Sequence, residues 1–149
     1  MQDYNIKNSN QGSNEFLKKY DIEKNTVSHI RYHFVFCPRY RRKIFHIDGV
    51  ESRFKEAVKE ECEKQKIRIY KLECHEEYVY MYVGVLPSMD ISVIMKQVKG
   101  AASNVLRSEF IQLRAMTSIW TRNYFVSTDT DVDMAAIKWF VDSQKKRPD

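Results

Sequence analysis

The sequence predicts an α+β fold, in which an antiparallel βαββαβ sheet is packed by helices and followed by a further C-terminal helix. Three observations predict it. Apolar residues alternate with polar ones at 28–37, they recur with helical spacing at 49–65, and two strand-like runs at 67–74 and 78–86 follow each other closely. A strand, a helix and a hairpin in this order begin a sheet that helices cover on one face.

The first strand is predicted at 28–37, where every second residue is apolar. Pro38 ends it, because proline has no N–H to donate to a neighbouring strand. The helix at 49–65 follows, since its apolar positions share one helical face while Glu, Lys and Arg occupy the other. Those apolar positions are Val50, Phe54, Ala57, Val58 and Cys62.

The runs IRIYKLEC at 67–74 and YVYMYVGVL at 78–86 are rich in β-branched and aromatic residues, which favours strands. Their short connection predicts an antiparallel hairpin. In the second run, side chains alternate between the two faces of the sheet. One face receives Val79, Met81, Val83 and Val85, and the other receives Tyr78, Tyr80 and Tyr82.

A turn with a capping Asp90 precedes a second helix that runs to about Phe110, with a bend expected at Gly100. Residues 112–121 are predicted as a connection and 124–128 as a short strand. A final helix begins near Asp131, and one apolar stripe along it contains Val132, Ala135, Ala136, Trp139, Phe140 and Ser143. The complete order is the ferredoxin-like or RRM-like arrangement with an added helix.

The net charge of +5 is carried entirely by residues 28–149. Acidic and basic side chains cancel in residues 1–27, whose first half is rich in Asn, Ser and Gln, so we expect a mobile polar arm at 1–27 and one domain at 28–149. No apolar run fits a membrane span or a signal peptide, which predicts a cytoplasmic protein. Three widely spaced cysteines favour reduced thiols over disulfides or a metal site.

The densest basic run directly follows the first strand. It places one aromatic ring among four cations, a pattern typical of phosphate contacts with a stacking ring, although a solvated loop explains it equally well. The run consists of Arg39, Tyr40, Arg41, Arg42 and Lys43.

Four segments resemble the single-tyrosine transposases of the smallest bacterial insertion sequences, which belong to the His-hydrophobic-His nuclease superfamily. They are YHFVFCPRYRRKIF at 32–45, MKQVKGAASNVLRSEF at 95–110, IWTRNYFVST at 119–128 and KWFVDSQ at 138–144. The resemblance covers roughly 28–145. It implies a homodimer that recognises hairpins, and a chemistry in which a metal held by two histidines assists a helix tyrosine that attacks single-stranded DNA.

The positions that carry this chemistry differ here. Tyr78 and Tyr80 occupy the two histidine positions, Phe140 occupies the position of the nucleophile, and Gln144 matches the third metal ligand. A phenol is a poor substitute for imidazole around a divalent ion. From these substitutions we expect no metal, no cofactor and no enzymatic activity, hence a domesticated, transposase-like regulator that has kept only nucleic-acid binding.

The residues expected to bind hairpin DNA or RNA are the basic run, the rings of Tyr78 and Tyr80, and scattered cations further along the chain. Those cations are Lys96, Lys99, Arg107 and Arg122. The two rings suit base stacking, although tyrosine also simply packs well in strands. Glu76 and Glu77 count against the old cleavage pocket as the binding surface, because carboxylates repel phosphate.

Two alternatives remain open. An active transposase would need a displaced nucleophile such as Tyr124 or Tyr78. A dimeric protein-interaction module without nucleic-acid binding would explain the acidic pair Glu76 and Glu77 and the modest net charge.

Overall fold

Four antiparallel strands form the central sheet of the computed structural model, which describes residues 19–145 of the chain. A separate two-stranded hairpin of β1 (Asp21–Glu23) and β2 (Thr26–Ser28) precedes it. The sheet strands are β3 (Ile30–Phe36), β4 (Arg68–Cys74), β5 (Val79–Val85) and β6 (Phe125–Ser127), in the spatial order β4-β5-β3-β6. This order confirms the predicted ferredoxin-like arrangement.

One face of the sheet carries the larger core. Helices α1 (Val50–Lys64) and α2 (Ile91–Glu109) cover it, and the predicted alternation of β5 is confirmed because Val79, Met81 and Val83 point into this core. Asp90 caps α2, since its carboxylate accepts hydrogen bonds from the backbone N–H groups of Ser92 and Val93.

The opposite face carries a smaller core beneath the last helix, α4 (Met134–Asp142). Val35 and Tyr80 from the sheet pack there against Phe140 from the helix, whose ring centroid lies 6.0 Å from that of Phe125. The carboxylate of Asp133 begins the helix by accepting a hydrogen bond from the N–H of Ala136 at 3.1 Å. The last helix is therefore fixed to the face that carries the β5 tyrosines.

The helices differ from the sequence prediction in several details. Helix α2 continues through Gly100, where a bend was expected, and a short helix α3 (Ile111–Arg114) lies at the start of the predicted connection. Helix α4 begins at Met134, and its buried residues are Ile137, Phe140 and Val141. The predicted stripe was wrong about Ala135, Trp139 and Ser143, which are all exposed. In the stretch from 19 to 145, no helix is both long and apolar enough to cross a membrane.

Part of the expected arm lies within the described residues. The β1–β2 hairpin occupies 21–28, and the buried Asp21 forms ion pairs with Arg31 at 3.2 Å and Arg68 at 2.8 Å. These ion pairs tie the hairpin to β3 and β4, so this segment has regular structure where the composition predicts an arm. Residues 1–18 of the predicted arm lie outside the described residues.

Candidate nucleic-acid interface

The basic run after β3 forms a tight turn that presents one ring between two cations. Tyr40 and Arg41 both adopt left-handed backbone conformations, with φ of 60° and 55°. The guanidinium carbons of Arg39 and Arg42 lie 5.3 Å and 5.9 Å from the centroid of the Tyr40 ring. The backbone N–H of Arg39 donates to the carbonyl of Ile119 at 2.7 Å, which joins this turn to the segment before β6.

Unlike Arg39 and Arg42, Arg41 contacts acidic side chains. Its guanidinium donates to the Glu77 carboxylate, with an Nε distance of 2.8 Å, and reaches Asp142 of α4 at 3.4 Å. Lys43 forms an exposed ion pair with Glu76 at 3.1 Å. The structure therefore divides the basic run: Arg39, Tyr40 and Arg42 remain unpaired with carboxylates within the described chain, whereas Arg41 and Lys43 face acidic side chains.

A cleft beside α2 brings together three of the predicted cations, Lys96, Lys99 and Arg122. Trp120, Thr121 and several serines complete its wall, and none of the described residues that line it is acidic. The Lys99 ammonium donates to the Thr121 carbonyl at 2.6 Å, and burial lowers its pKa. Lys96 and Arg122 are exposed. This cationic cleft is suited to a phosphate backbone.

The cationic cleft continues at both ends. Ser118 also lines the pocket beneath the basic turn, which contains Arg39, Tyr40 and Arg42. Arg122 and Tyr124 also line a further cleft beside α4. We call the resulting surface the basic track; its members are Arg39, Tyr40, Arg42, Lys96, Lys99 and Arg122.

Arg107, another predicted contact, lies away from the basic track. It is half-buried on α2, and its Nε is buried without a hydrogen-bond partner in the part of the chain that the structure describes. It lines none of the clefts that form the track.

Tyr80 is not an exposed stacking ring, and this corrects the prediction from the sequence. Its side chain is 5% exposed beneath α4. The Nε2 of His33 lies 2.7 Å from the carbonyl oxygen of Asp129, so it must donate, and Nδ1 then accepts the Tyr80 hydroxyl proton at 2.8 Å. Burial raises the pKa of Tyr80 to about 12. This phenol therefore stays protonated as a hydrogen-bond donor.

Tyr78 lies in a different groove, which is rimmed by carboxylates. Its ring stacks on His75 with centroids 4.4 Å apart, and burial raises its pKa. The groove also contains Glu76, Glu77 and Asp142. Arg41 and Lys138 also line this groove. The carboxylates of Glu76 and Glu77 nevertheless disfavour a nucleotide on the Tyr78 ring, because they repel its phosphate.

Phe140 and Gln144, at the positions where the resemblance implies the nucleophile and the third metal ligand, are both buried. Phe140 lies in the smaller core, as the sequence predicts. Gln144 is buried, and its amide donates to the Phe140 carbonyl at 3.2 Å and to the Ser143 hydroxyl at 3.3 Å. Its donor hydrogens are thus directed back to its own helix.

The donor set at these positions does not fit a divalent metal ion. The Tyr80 hydroxyl is committed to His33 and the Tyr78 phenol has a raised pKa, which leaves of these three positions only the amide oxygen of Gln144 as a ligand. Within residues 19–145, no group of three or more His, Cys, Asp or Glu side chains is arranged to hold a metal. Instead, the guanidinium of Arg41 supplies the positive charge beside Glu77.

Sequence reasoning missed Trp139, which it assigned to the apolar stripe. The indole is 73% exposed and lines the cleft beside α4 together with Arg122 and Phe140. A helical pattern with Ile137, Phe140 and Val141 as its buried face would have placed position 139 outside the core.

Comparison with known proteins gives the following similarities. Residues 26–144 match the family described as "Transposase IS200 like". The transposase for insertion sequence element IS200 of Salmonella typhimurium is 31% identical over 114 residues, which span 71% of this chain and 74% of that protein.

Two solved structures share the fold. One is a protein of Deinococcus radiodurans assigned as a transposase, with a TM-score of 0.79, 22% identity, and coverage of 85% of this chain and 99% of that one. The other is a REP-associated tyrosine transposase bound to a REP hairpin, with a TM-score of 0.53, 10% identity, and coverage of 82% and 68%.

These similarities correct one prediction. The matching relatives are named transposases, which are enzymes, and this contradicts the prediction that the chain is not an enzyme.

Proposed function

The chain belongs to the family of IS200-like transposases, and on that premise we propose that it binds hairpin DNA with a single-stranded flank along the basic track. The observation that carries this proposal is the cationic cleft. Lys96, Lys99 and Arg122 converge there, and no carboxylate belongs to the described residues that line it. Such a surface attracts phosphates over several nucleotides.

The continuity of the track supports an extended ligand. The track runs from the basic turn through the cationic cleft to the cleft beside α4, and the segment 115–122 connects these parts. One structural neighbour is bound to a REP hairpin. We extend hairpin binding to this chain as part of the proposal, and we favour DNA because the curated relatives serve a DNA insertion sequence.

The proposal also includes a homodimer, a regulatory role and a cytoplasmic location, which the sequence predicts. A homodimer would double the number of phosphate contacts made by a modest net charge of +5. A regulatory use of hairpin binding and a cytoplasmic location complete the proposed role.

A second candidate function is strand cleavage, and the position of Tyr124 favours it. This side chain lines both the cationic cleft and the cleft that contains Phe140, so a phosphate held by Arg122 would lie in the same cleft as its phenol. In that reaction the Tyr124 phenol loses its proton and its oxygen bonds to phosphorus, the bond from phosphorus to the 3′ oxygen breaks, and the released 3′ oxygen takes up a proton.

The experiment that tests the first candidate is equilibrium binding of a labelled DNA hairpin with a single-stranded flank. We expect binding that weakens linearly, on logarithmic axes, as salt increases, because cations released from phosphates oppose association. A flank-free duplex of the same length is the control for shape. Absence of binding at low salt would contradict the proposal and favour the protein-interaction module.

A further inference from the structure

Trp139 is a large aromatic side chain left 73% exposed in the middle of α4. The other tryptophan, Trp120, is 5% exposed and donates its indole N–H to the Lys99 carbonyl at 3.1 Å. An exposed indole offers a large flat ring to a ligand, which the equally exposed aliphatic side chain of Ile111 does not.

The surroundings of Trp139 indicate the chemistry of that ligand. Its cleft is lined by Arg122, Asn123, Tyr124 and the two polar residues that follow α4, and within the described chain none of the lining side chains is acidic. Asp142, on the same helix, lines the groove on the other side together with Glu77. One side of α4 therefore presents a ring beside a cation, and the other side presents carboxylates.

Arg122 connects this cleft to the cationic cleft, because it lines both. A strand whose phosphates follow the track toward α4 therefore reaches the indole after Arg122. Stacking on an aromatic face next to a phosphate-binding cation is the way single strands are commonly held.

We propose that Trp139 is a stacking surface for an unpaired base in the single-stranded flank of the nucleic acid. This inference rests on the proposed function, since it assigns a ligand to one end of the basic track. A second copy of this chain is the other occupant that an exposed indole suits, but the arginine and polar amides of this cleft complement a nucleotide better than an apolar protein surface.

The experiment compares two DNA hairpins, one with a single-stranded flank and one without, for the wild type and for Trp139→Ala, Trp139→Phe and Ile111→Ala. Ile111 is as exposed as Trp139 and lies outside the track, so it controls for the loss of a surface apolar group. We expect Trp139→Ala to bind the flanked hairpin about ten- to a hundredfold more weakly, a loss that corresponds to one stacked base. Trp139→Phe should keep most of the affinity.

Tryptophan fluorescence gives a second readout. Binding of the flanked hairpin should quench the emission of the wild type more strongly than that of Trp139→Phe, in which only Trp120, 5% exposed in the wall of the cationic cleft, remains to respond. The hairpin without a flank should bind all four proteins equally and should quench the wild type and Trp139→Phe to the same extent.

The outcomes separate this inference from the proposed function. Equal binding of the flanked hairpin by the wild type and Trp139→Ala would overturn the stacking role while hairpin binding stands. A change in sedimentation of Trp139→Ala without any effect on the flank would also overturn it, in favour of a contact between copies. If the wild type binds neither hairpin at low salt, the proposed function itself fails.

Discussion

His33 and Tyr80 share a buried hydrogen bond of 2.8 Å between strands β3 and β5, in which the phenol donates to Nδ1. The other ring nitrogen of His33 donates to the Asp129 carbonyl at 2.7 Å, which fixes the tautomer. Residue 80 thereby ties two strands and the loop after β6 together. The position at which the resemblance implies a metal ligand is a structural hydrogen-bond donor in this chain.

The first prediction concerns this bond. Tyr80→Phe should lower the free energy of unfolding by about 1–3 kcal/mol, because the buried Nδ1 of His33 loses its partner. Denaturant titration measures the change. Tyr82→Phe is the matched control, since the Tyr82 hydroxyl makes no hydrogen bond among residues 19–145 and its loss should cost little. Equal effects of the two substitutions would argue against the assigned bond.

The second prediction concerns the ion pair between the sheet and the last helix. The Arg41 side chain is 13% exposed between Glu77 and Asp142. Arg41→Met should cost about 1–3 kcal/mol, between the values for exposed and fully buried pairs. Hydrogen exchange across 134–142 should accelerate, because α4 loses this connection. Lys43→Met removes only the exposed pair with Glu76 and should change exchange in α4 little. No difference between the variants would contradict the role of Arg41.

The third prediction concerns stability at alkaline pH. Burial raises the pKa of the Cys62 thiol from 9.0 to about 12. Between these values the unfolded chain binds fewer protons than the folded one, so stability is full below pH 9 and falls as pH rises toward 12. Cys62→Ala should reduce the slope by up to about 1.4 kcal/mol per pH unit.

Unfolding under reducing conditions at pH 8 and pH 10.5 measures that slope. Val58→Ala, a buried substitution on the same helix, should lower stability equally at both pH values. If Cys62→Ala behaves like this control, the thiol does not contribute to the alkaline loss.

The fourth prediction concerns the second candidate function. If Tyr124 is a nucleophile, incubation with flanked hairpin DNA should give a covalent protein–DNA adduct on a denaturing gel. The adduct should form with Tyr78→Phe and be absent with Tyr124→Phe, because only the latter removes the attacking oxygen. An adduct that still forms with Tyr124→Phe would assign the attack to another residue. If the wild type and both variants form no adduct, strand cleavage by Tyr124 is contradicted.

The sequence was sufficient to predict the four strands of the central sheet and the two faces of β5, because the alternation of Val79, Met81 and Val83 with tyrosines is strict. It also correctly predicted, from the apolar stripe of the last helix, that Phe140 packs. These features depend on local periodicity, which a linear sequence displays directly.

The basic track could not be predicted in this way. It forms because the irregular segment 115–122 lies against both the turn at Arg39 and helix α2, contacts that no period encodes. The pairing of Arg41 with Glu77 and Asp142 likewise joins residues far apart in the chain. Charge counting therefore placed Arg41 in one group with Arg39 and Arg42, since it could not tell cations paired with carboxylates from unpaired ones.

The central claim is that the exposed cations of the basic track contact phosphates. The most direct measurement is the slope of the logarithm of hairpin affinity against the logarithm of salt concentration, for the wild type, for Lys96→Gln with Arg122→Gln, and for Lys59→Gln with Lys64→Gln. The last pair removes the same charge from exposed sites on α1, outside the track. We predict that the track variant reduces the slope by about 2, one for each lost phosphate contact, and that the α1 variant keeps the wild-type slope. Equal slopes for the two double variants would contradict the claim.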